Sequence, residues 1–440
     1  MVSGVSESEI GRNRKLLLGI GYFVQGLRCF PWMGVNFFLK DGMRVDPSTL
    51  QILQNSANLP MVAKPFYGIL SDSYYIFGEH RVPYIALGAF LQALSWIAIA
   101  IFAASGISFM SITFFLLLGN LGASIVEVAN DAMVAETAKQ PTSSKKTKSS
   151  SSGQLQSFVW MASSIGGVLG NLVGGIAIDR FAPRMMFFIY GILLSFQFVI
   201  TGLTRESSLA LPKSSSHVGF WKQFSDLLDA LKKPEILYAV FWFAFSYAII
   251  PALTGTMFFY QTQHLKIESS VLGVSKVLGQ AAMLLWGAVY NHRLKSISSR
   301  KLIAAVQVTM VIFMVSDYLF VKGFYKSLGV PDSLYVITFS GLLEVLYFFK
   351  ILPFSVLMAQ LCPPGCEGSI MAFVMSAIAL AFILSGYLGV ALASYFEIKG
   401  DDFSGLPGAL LVQAACTLLP VFWASCVPED RKDKGKSKEN

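Results

Sequence analysis

Residues 61–81, MVAKPFYGILSDSYYIFGEHR, join two long apolar segments through a short turn that carries Gly68, Asp72 and Arg81. Far downstream, residues 287–301, GAVYNHRLKSISSRK, repeat the turn with Gly287, Asn291 and Arg300, each 219 positions after its counterpart. A Gly-x-x-x-Asp/Asn…Arg turn recurring at fixed offset in an apolar chain predicts a duplicated helix bundle. Transporters are built this way, because a site between two pseudo-symmetric halves opens to either side when one half rocks against the other. The turn itself predicts a conformational latch. Gly68 would allow close helix contact, and Asp72 would accept hydrogen bonds from Arg81 or a neighbouring helix end. Gly287, Asn291 and Arg300 would form the equivalent latch in the second half.

Composition names the solvent. Hydrophobic residues make up 54% of the 440 and charged residues 14%, against about 25% charged in a soluble domain. Residues 82–126 hold no Asp, Glu, Lys or Arg; at ~20 residues per crossing this is two spans with a tight turn near Ala104–Gly106. Apolar runs fall at 16–39, 49–70, 83–103, 107–135, 154–178, 185–204, 236–260, 269–290, 302–321, 333–360, 369–395 and 407–428. The expected fold is an all-α membrane protein of twelve transmembrane helices in two pseudo-symmetric six-helix bundles. The expected domains are an N-terminal bundle at 1–204, a central cytoplasmic loop at 205–235, a C-terminal bundle at 236–428 and a basic tail at 429–440.

Charge orients the spans. With the N-terminus inside, the inner segments hold 22 Lys and Arg and the outer loops eight, the positive-inside asymmetry. The formal charge of +8 follows from this bias and implies no nucleic-acid partner. Residues 139–153 read as a low-complexity linker that could carry a phosphorylation-regulated loop. Residues 219–233, GFWKQFSDLLDALKK, read as an amphipathic helix along the inner leaflet, with Phe220, Trp221, Phe224, Leu227, Leu228 and Leu231 on one face. Five scattered cysteines give no disulfide framework, and Cys362-Pro-Pro-Gly-Cys366 is a tight turn with no second Cys/His pair beside it. The first fifteen residues have no apolar core, so no secretory signal is evident, nor a transit peptide. With no Walker loop and no metal spacing among the histidines, no catalytic residue, metal or cofactor is expected.

Charges inside the membrane mark the candidate site. Glu127, Asn130, Asp131 and Glu136 fall in span four, and Glu127 and Asp131, four apart, share a helical face. A carboxylate at membrane depth costs about 2.5–3.5 kcal/mol on insertion scales, so it is retained for function or paired. Both readings stand for Glu127 and Asp131: a proton- or substrate-coupled site, or an internal ion pair. Glu136, near the inner mouth, reads as structural. Arg28, mid-way along span one, needs a carboxylate partner such as Asp131 or Glu127, or an anionic solute. Glu344 and Lys350 in span ten, six apart, point to different faces and different helices. Lys64 reads as snorkelling to the headgroups. Pro31 and Pro251, each ahead of an aromatic pair (Phe37-Phe38, Phe258-Phe259), mark spans one and seven as equivalent bendable helices.

The duplicated turn on twelve spans resembles the major facilitator superfamily. Local words are closer still to the folate–biopterin transporter family: YFVQG (22–26), FFLKD (37–41), LPMVAKPFYGILSDSYYIFG (59–78), the Glu127…Asn130-Asp131…Val134-Ala135-Glu136 run and LCPPGCEGSIMAFVMS (361–376). The chain departs from the family pattern at Glu79-His80-Arg81, where a basic cluster is usual, and at Thr137-Ala138-Lys139, where an Arg usually follows the acid. The resemblance implies a secondary transporter of folate- or pterin-like organic anions in a plastid envelope or another membrane, proton-coupled and monomeric, with the lipid bilayer as its surroundings. A pteridine ring would stack on aromatics and bond to a carboxylate, and Arg28 or Lys350 would meet glutamate carboxylates. The alternatives are a facilitator of a different organic solute, or a transport-inactive membrane sensor or scaffold.

Overall fold

A computed structural model describes residues 7–139, 145–209, 220–361 and 367–428. The Cys362–Cys366 turn and the basic tail lie outside these residues, as does part of the 139–153 linker. The rest of that linker is helical, since the following helix begins at Lys145. Among the described residues there is no β-strand; one isolated bridge, Ile76 to Glu79, closes the turn of the latch motif.

In chain order the helices are α1 (Glu7–Leu27), α2 (Cys29–Phe37), α3 (Pro47–Ala57), α4 (Lys64–Ser73), α5 (Val82–Ser105), α6 (Phe109–Lys139), α7 (Lys145–Arg180), α8 (Pro183–Leu203) and α9 (Phe220–Leu231). They continue with α10 (Pro234–Ala248), α11 (Thr254–Phe259), α12 (Ser269–His292), α13 (Ser299–Val321), α14 (Phe324–Ser327), α15 (Asp332–Tyr335), α16 (Gly341–Phe349), α17 (Ile351–Leu361), α18 (Glu367–Tyr395) and α19 (Leu406–Phe422). Eight stretches of the described residues are long and apolar enough to cross a membrane unaided: 82–105, 109–137, 157–180, 183–203, 269–290, 299–321, 332–358 and 370–395. The remaining apolar runs are short or interrupted.

The interruptions have chemical causes. Proline lacks an N–H, so the carbonyl four residues earlier loses its partner. Ahead of Pro31 the helix breaks at Arg28, and around Pro251 residues 249–253 leave the helix altogether. Both stretches then end in a π-helical turn, Phe38–Gly42 and Tyr260–His264. Pro353 does the same within span ten: the helix breaks at Lys350, and the freed Phe349 carbonyl accepts the Trp286 indole N–H at 3.1 Å.

The chain divides into two compact units. The first comprises residues 1–35 and 60–225. Its core gathers Leu17, Leu18 and Tyr22 of α1 with Ile85, Val126, Met133 and Val159. Its helices touch through glycine. A Cβ on Gly88 would lie 2.5 Å from the Gly122 carbonyl oxygen, so α5 and α6 approach backbone to backbone. The second unit comprises residues 36–59 and 226–440. Its core stacks Phe243 on Phe354 with ring centroids 3.7 Å apart, amid Tyr247, Leu357, Val374 and Ile378. The apolar residues of α9 serve two surfaces rather than one: Leu227 and Leu231 are buried in this core, whereas Trp221, Phe224 and Leu228 are exposed.

Candidate functional site

In the first unit, α6 brings Glu127 against α1 and α4. Its carboxylate takes two cations: Arg28 Nη1 at 3.2 Å and Lys64 Nζ at 2.5 Å. Arg28 sits at the break between α1 and α2, and its second amino group donates to Asn120 Oδ1 at 2.5 Å. Gln25 also bonds to Glu127. Glu127 is 9% exposed, and the Arg28 and Lys64 side chains keep 19% and 20% of their surface open. Gly21, Gln25, Arg28, Gln92, Glu127 and Gln197 line a small cavity of about 10 Å³ beside this cluster, room for about one water in this conformation. One turn further along α6, Asp131 accepts a hydrogen bond from the Tyr22 hydroxyl. Asp131 as a residue is exposed.

Of the residues the sequence singled out, the structure therefore joins Arg28 and Glu127 directly and sets Asp131 one turn away on the same face. Asn130 does not join them; it is fully buried against Gly21. Lys64, Tyr22 and Asn120 complete the cluster. The long stem of Lys64 would allow it to reach the headgroups, as the sequence suggests, but it turns inward to share Glu127.

Glu344 and Lys350 part company in the second unit, as their six-residue spacing requires. Glu344 pairs with Lys276 of α12 at 2.7 Å, and both side chains are open to the surroundings. Lys350 is 0% exposed, so no solute reaches it in this conformation. Its ammonium sits at the helix break, 3.1 Å from Ser246 Oγ, 2.7 Å from Gln307 Oε1 and 3.9 Å from the Tyr247 ring centroid. The cage is built to accept. Gln307 spends its amide N–H on Thr417 O, and Ser246 spends its hydroxyl proton on Phe243 O. No carboxylate pairs with Lys350 among the described residues. Of the two cations the sequence offers for an anionic solute, only Arg28 keeps part of its side chain open, 19%.

The latch turn is more heavily tied than the motif alone implies. Arg81, 4% exposed, bonds to Asp72, to Ser71 Oγ at 2.5 Å and to Glu136 Oε1 through Nε at 3.0 Å and Nη2 at 2.6 Å. Burial pulls the guanidinium's pKa down, but Asp72 and Glu136 outweigh it and hold the pKa above its ordinary value. Glu206, just past span six, accepts the backbone N–H groups of His80 and Arg81, the latter at 3.0 Å. It thereby caps the N-terminus of α5. Glu136 and Glu206 are partners of this turn that the repeat could not reveal, since neither lies within it. Gly68 makes only ordinary contact, its Cβ position 3.5 Å from Val128, and nothing lies within 4 Å at Gly287; close helix approach is not what these glycines provide. In the second unit Arg300 bonds to main-chain carbonyls, Val427 O at 2.6 Å and Ser425 O at 3.4 Å. The Asn291 side chain lies outside the described residues.

Comparison with known proteins agrees with this architecture. The chain is 57% identical, over the full length of both, to "Probable folate-biopterin transporter 7" of Arabidopsis thaliana. It is 42% identical to "Probable folate-biopterin transporter 9, chloroplastic" of the same plant, covering 96% of this chain and 79% of that one. Its fold matches the crystal structure of a D-xylose–proton symporter with a TM-score of 0.70 at 15% identity, covering 95% of this chain and 98% of that one. Residues 25–440 match the model of the BT1 family. Broken apolar spans, a repeated inner turn and charges held at membrane depth are thus features of a major facilitator fold, and the chain belongs to the BT1 family.

Proposed function

We propose that this protein is a secondary transporter of folate- or pterin-type organic anions that works by alternating access and is coupled to protons. In this reading twelve spans form two bundles, residues 1–204 and 236–428, with the four shorter runs completing the eight longer ones; residues 36–59, counted in the first bundle by the repeat, cluster with the second unit in this conformation. The names of its relatives supply the substrate class. The observation that carries the mechanism is the charge of the Glu127 cluster. Arg28 and Lys64 face one carboxylate, and Asp131 stands one turn away, bonded among the described residues to Tyr22.

With Asp131 ionised the four charges cancel; with Asp131 protonated the cluster is +1. An anionic substrate and a proton therefore favour each other at this site. A unit charge within roughly 6–8 Å at an effective dielectric of ~20 is worth about 2–3 kcal/mol, near 100-fold in affinity. Arg28 holds the substrate carboxylate through its planar fork, and Asp131 carries the proton. Proteoliposomes offered pterins, folates and unrelated organic anions test the reading. Uptake of a pterin or folate should rise with an inward proton gradient. Asp131→Asn should abolish that rise while retaining exchange of substrate for substrate. Failure of the wild type to take up any pterin or folate would sink the substrate class; gradient-independent uptake would sink the coupling.

A further inference from the structure

Span seven is non-helical from residue 249 to 253, and a broken helix leaves backbone groups unpaired where water cannot reach them. Two side chains of the second unit repair the break. Ser385 of α18 donates its hydroxyl proton to Ile250 O, and its carbonyl accepts the Ala252 N–H at 3.0 Å. Gln51 of α3 does the rest. Its Nε2 donates to Ala252 O and to Gly386 O, both at 2.6 Å, and its Oε1 accepts the Gly255 N–H at 2.8 Å. Gln51 is 2% exposed with both donors and its acceptor engaged. Glycine makes the approach feasible. A Cβ on Gly389 would land on the Ala252 carbonyl oxygen, one on Gly386 on the Asn55 amide, and one on Gly255 2.8 Å from Pro47 O.

We propose that Gln51 is a positioning residue that holds span seven in its broken form, so that docking of α3 and the break form a single two-state element. At Pro60 the chain leaves this unit for the other, so rocking of the first unit pulls on α3. Withdrawing Gln51 strands Ala252 O and Gly255 N–H, at about 1–3 kcal/mol each, whereas Gly386 O keeps its partner within α18. Residues 249–253 then gain by rewinding, which converts a movement of α3 into a change of shape in span seven. The place of this element in transport rests on the alternating-access reading; its existence does not.

Hydrogen exchange on the full-length protein in lipid nanodiscs tests it. Gln51→Glu keeps the shape and an acceptor and, protonated at this buried position, offers one donor in place of two. Exchange over residues 249–257 should rise at least tenfold, with α5 unchanged as an internal standard. A folded Gln51→Glu protein with unaltered exchange there would overturn the proposal. The wild type gives a second test that no misfolding can spoil. Under conditions where opening limits exchange, residues 51–57 and 249–257 should open at a common rate, and separate rates overturn the coupling. Uptake assays on the same preparation keep the two readings apart: joint opening without any pterin or folate uptake supports the lock and sinks the substrate assignment.

Discussion

At Glu127 one carboxylate serves two cations, and the imbalance dictates how each partner responds to removal. Glu127→Gln removes the one acid bonded to both Arg28 and Lys64 and leaves Asp131, one turn away, as the nearest carboxylate, so it should be the most destabilising change in the cluster, by about 3–5 kcal/mol. Arg28→Met leaves Glu127 paired with Lys64 and should keep most of the stability while weakening binding of carboxylate-bearing solutes. Thermal melting of the two variants in one detergent checks the order; an equal fall in melting temperature would mean that Lys64 contributes nothing to Glu127. The Arg28–Glu127 pair was legible in the sequence, because charges at membrane depth have few partners to choose from. Lys64 was not, because its stem allows either the headgroups or an inward turn, and only the packed position of α4 decides. Lys350 shows the opposite limit. Its sequence position marks a buried charge, but nothing in the sequence foretells that neutral acceptors and a tyrosine ring would enclose it.

Among elements, the two inner turns share a frame and differ in chemistry. Arg81 is held by carboxylates from α4 and α6, whereas Arg300 is held by carbonyls at the end of α19. The Arg81 turn is therefore expected to respond to acid-to-amide changes. Asp72→Asn should slow interconversion of the transport states while leaving melting nearly unchanged, because Asp72 is partly exposed and Glu136 still holds Arg81. Glu136→Gln should both slow transport and lower the melting temperature, since it removes the more buried acid. Counterflow rates alongside melting curves separate the two, and wild-type rates in a correctly inserted Asp72→Asn protein would discard the latch reading. Close helix packing makes an independent prediction. Gly122→Ala drives a methyl group into α5 at Gly88 and should cost about 1–3 kcal/mol, whereas Gly287→Ala meets open space and should cost nothing measurable. The prolines at 31 and 251 foretold bends; the unwound stretch at 249–253 could not be foreseen, because its repair depends on Gln51, some 200 residues away in sequence.

For the whole molecule, the count of crossings turns on the interrupted spans, and local contacts within each unit already tie loops to one side. In the first unit Glu206 bonds to the backbone of the 76–81 turn, so the segment after span six lies beside that turn. In the second, Arg300 bonds to Ser425 and Val427, so the end of α19 lies beside the turn that follows α12. The positive-inside asymmetry, 22 Lys and Arg against eight, predicts both sets of loops on the cytoplasmic side or its equivalent. Single cysteines at the exposed positions Phe77, Ser207, Ile297 and Ser425 should therefore react with an impermeant maleimide from one face of sealed vesicles. Cysteines at Ser105, Ser327 and Asp401 should react from the other. The pair Ser207 and Ile297 decides most. Only α12 crosses between them as an uninterrupted span, so they share a face only if the broken stretch from α10 to α11 crosses as well. Ser425 against Asp401 asks the same of the short α19. Labelling of Ser207 and Ile297 from opposite faces would show that the broken span seven does not traverse the bilayer, and the twelve-span architecture would fall with it.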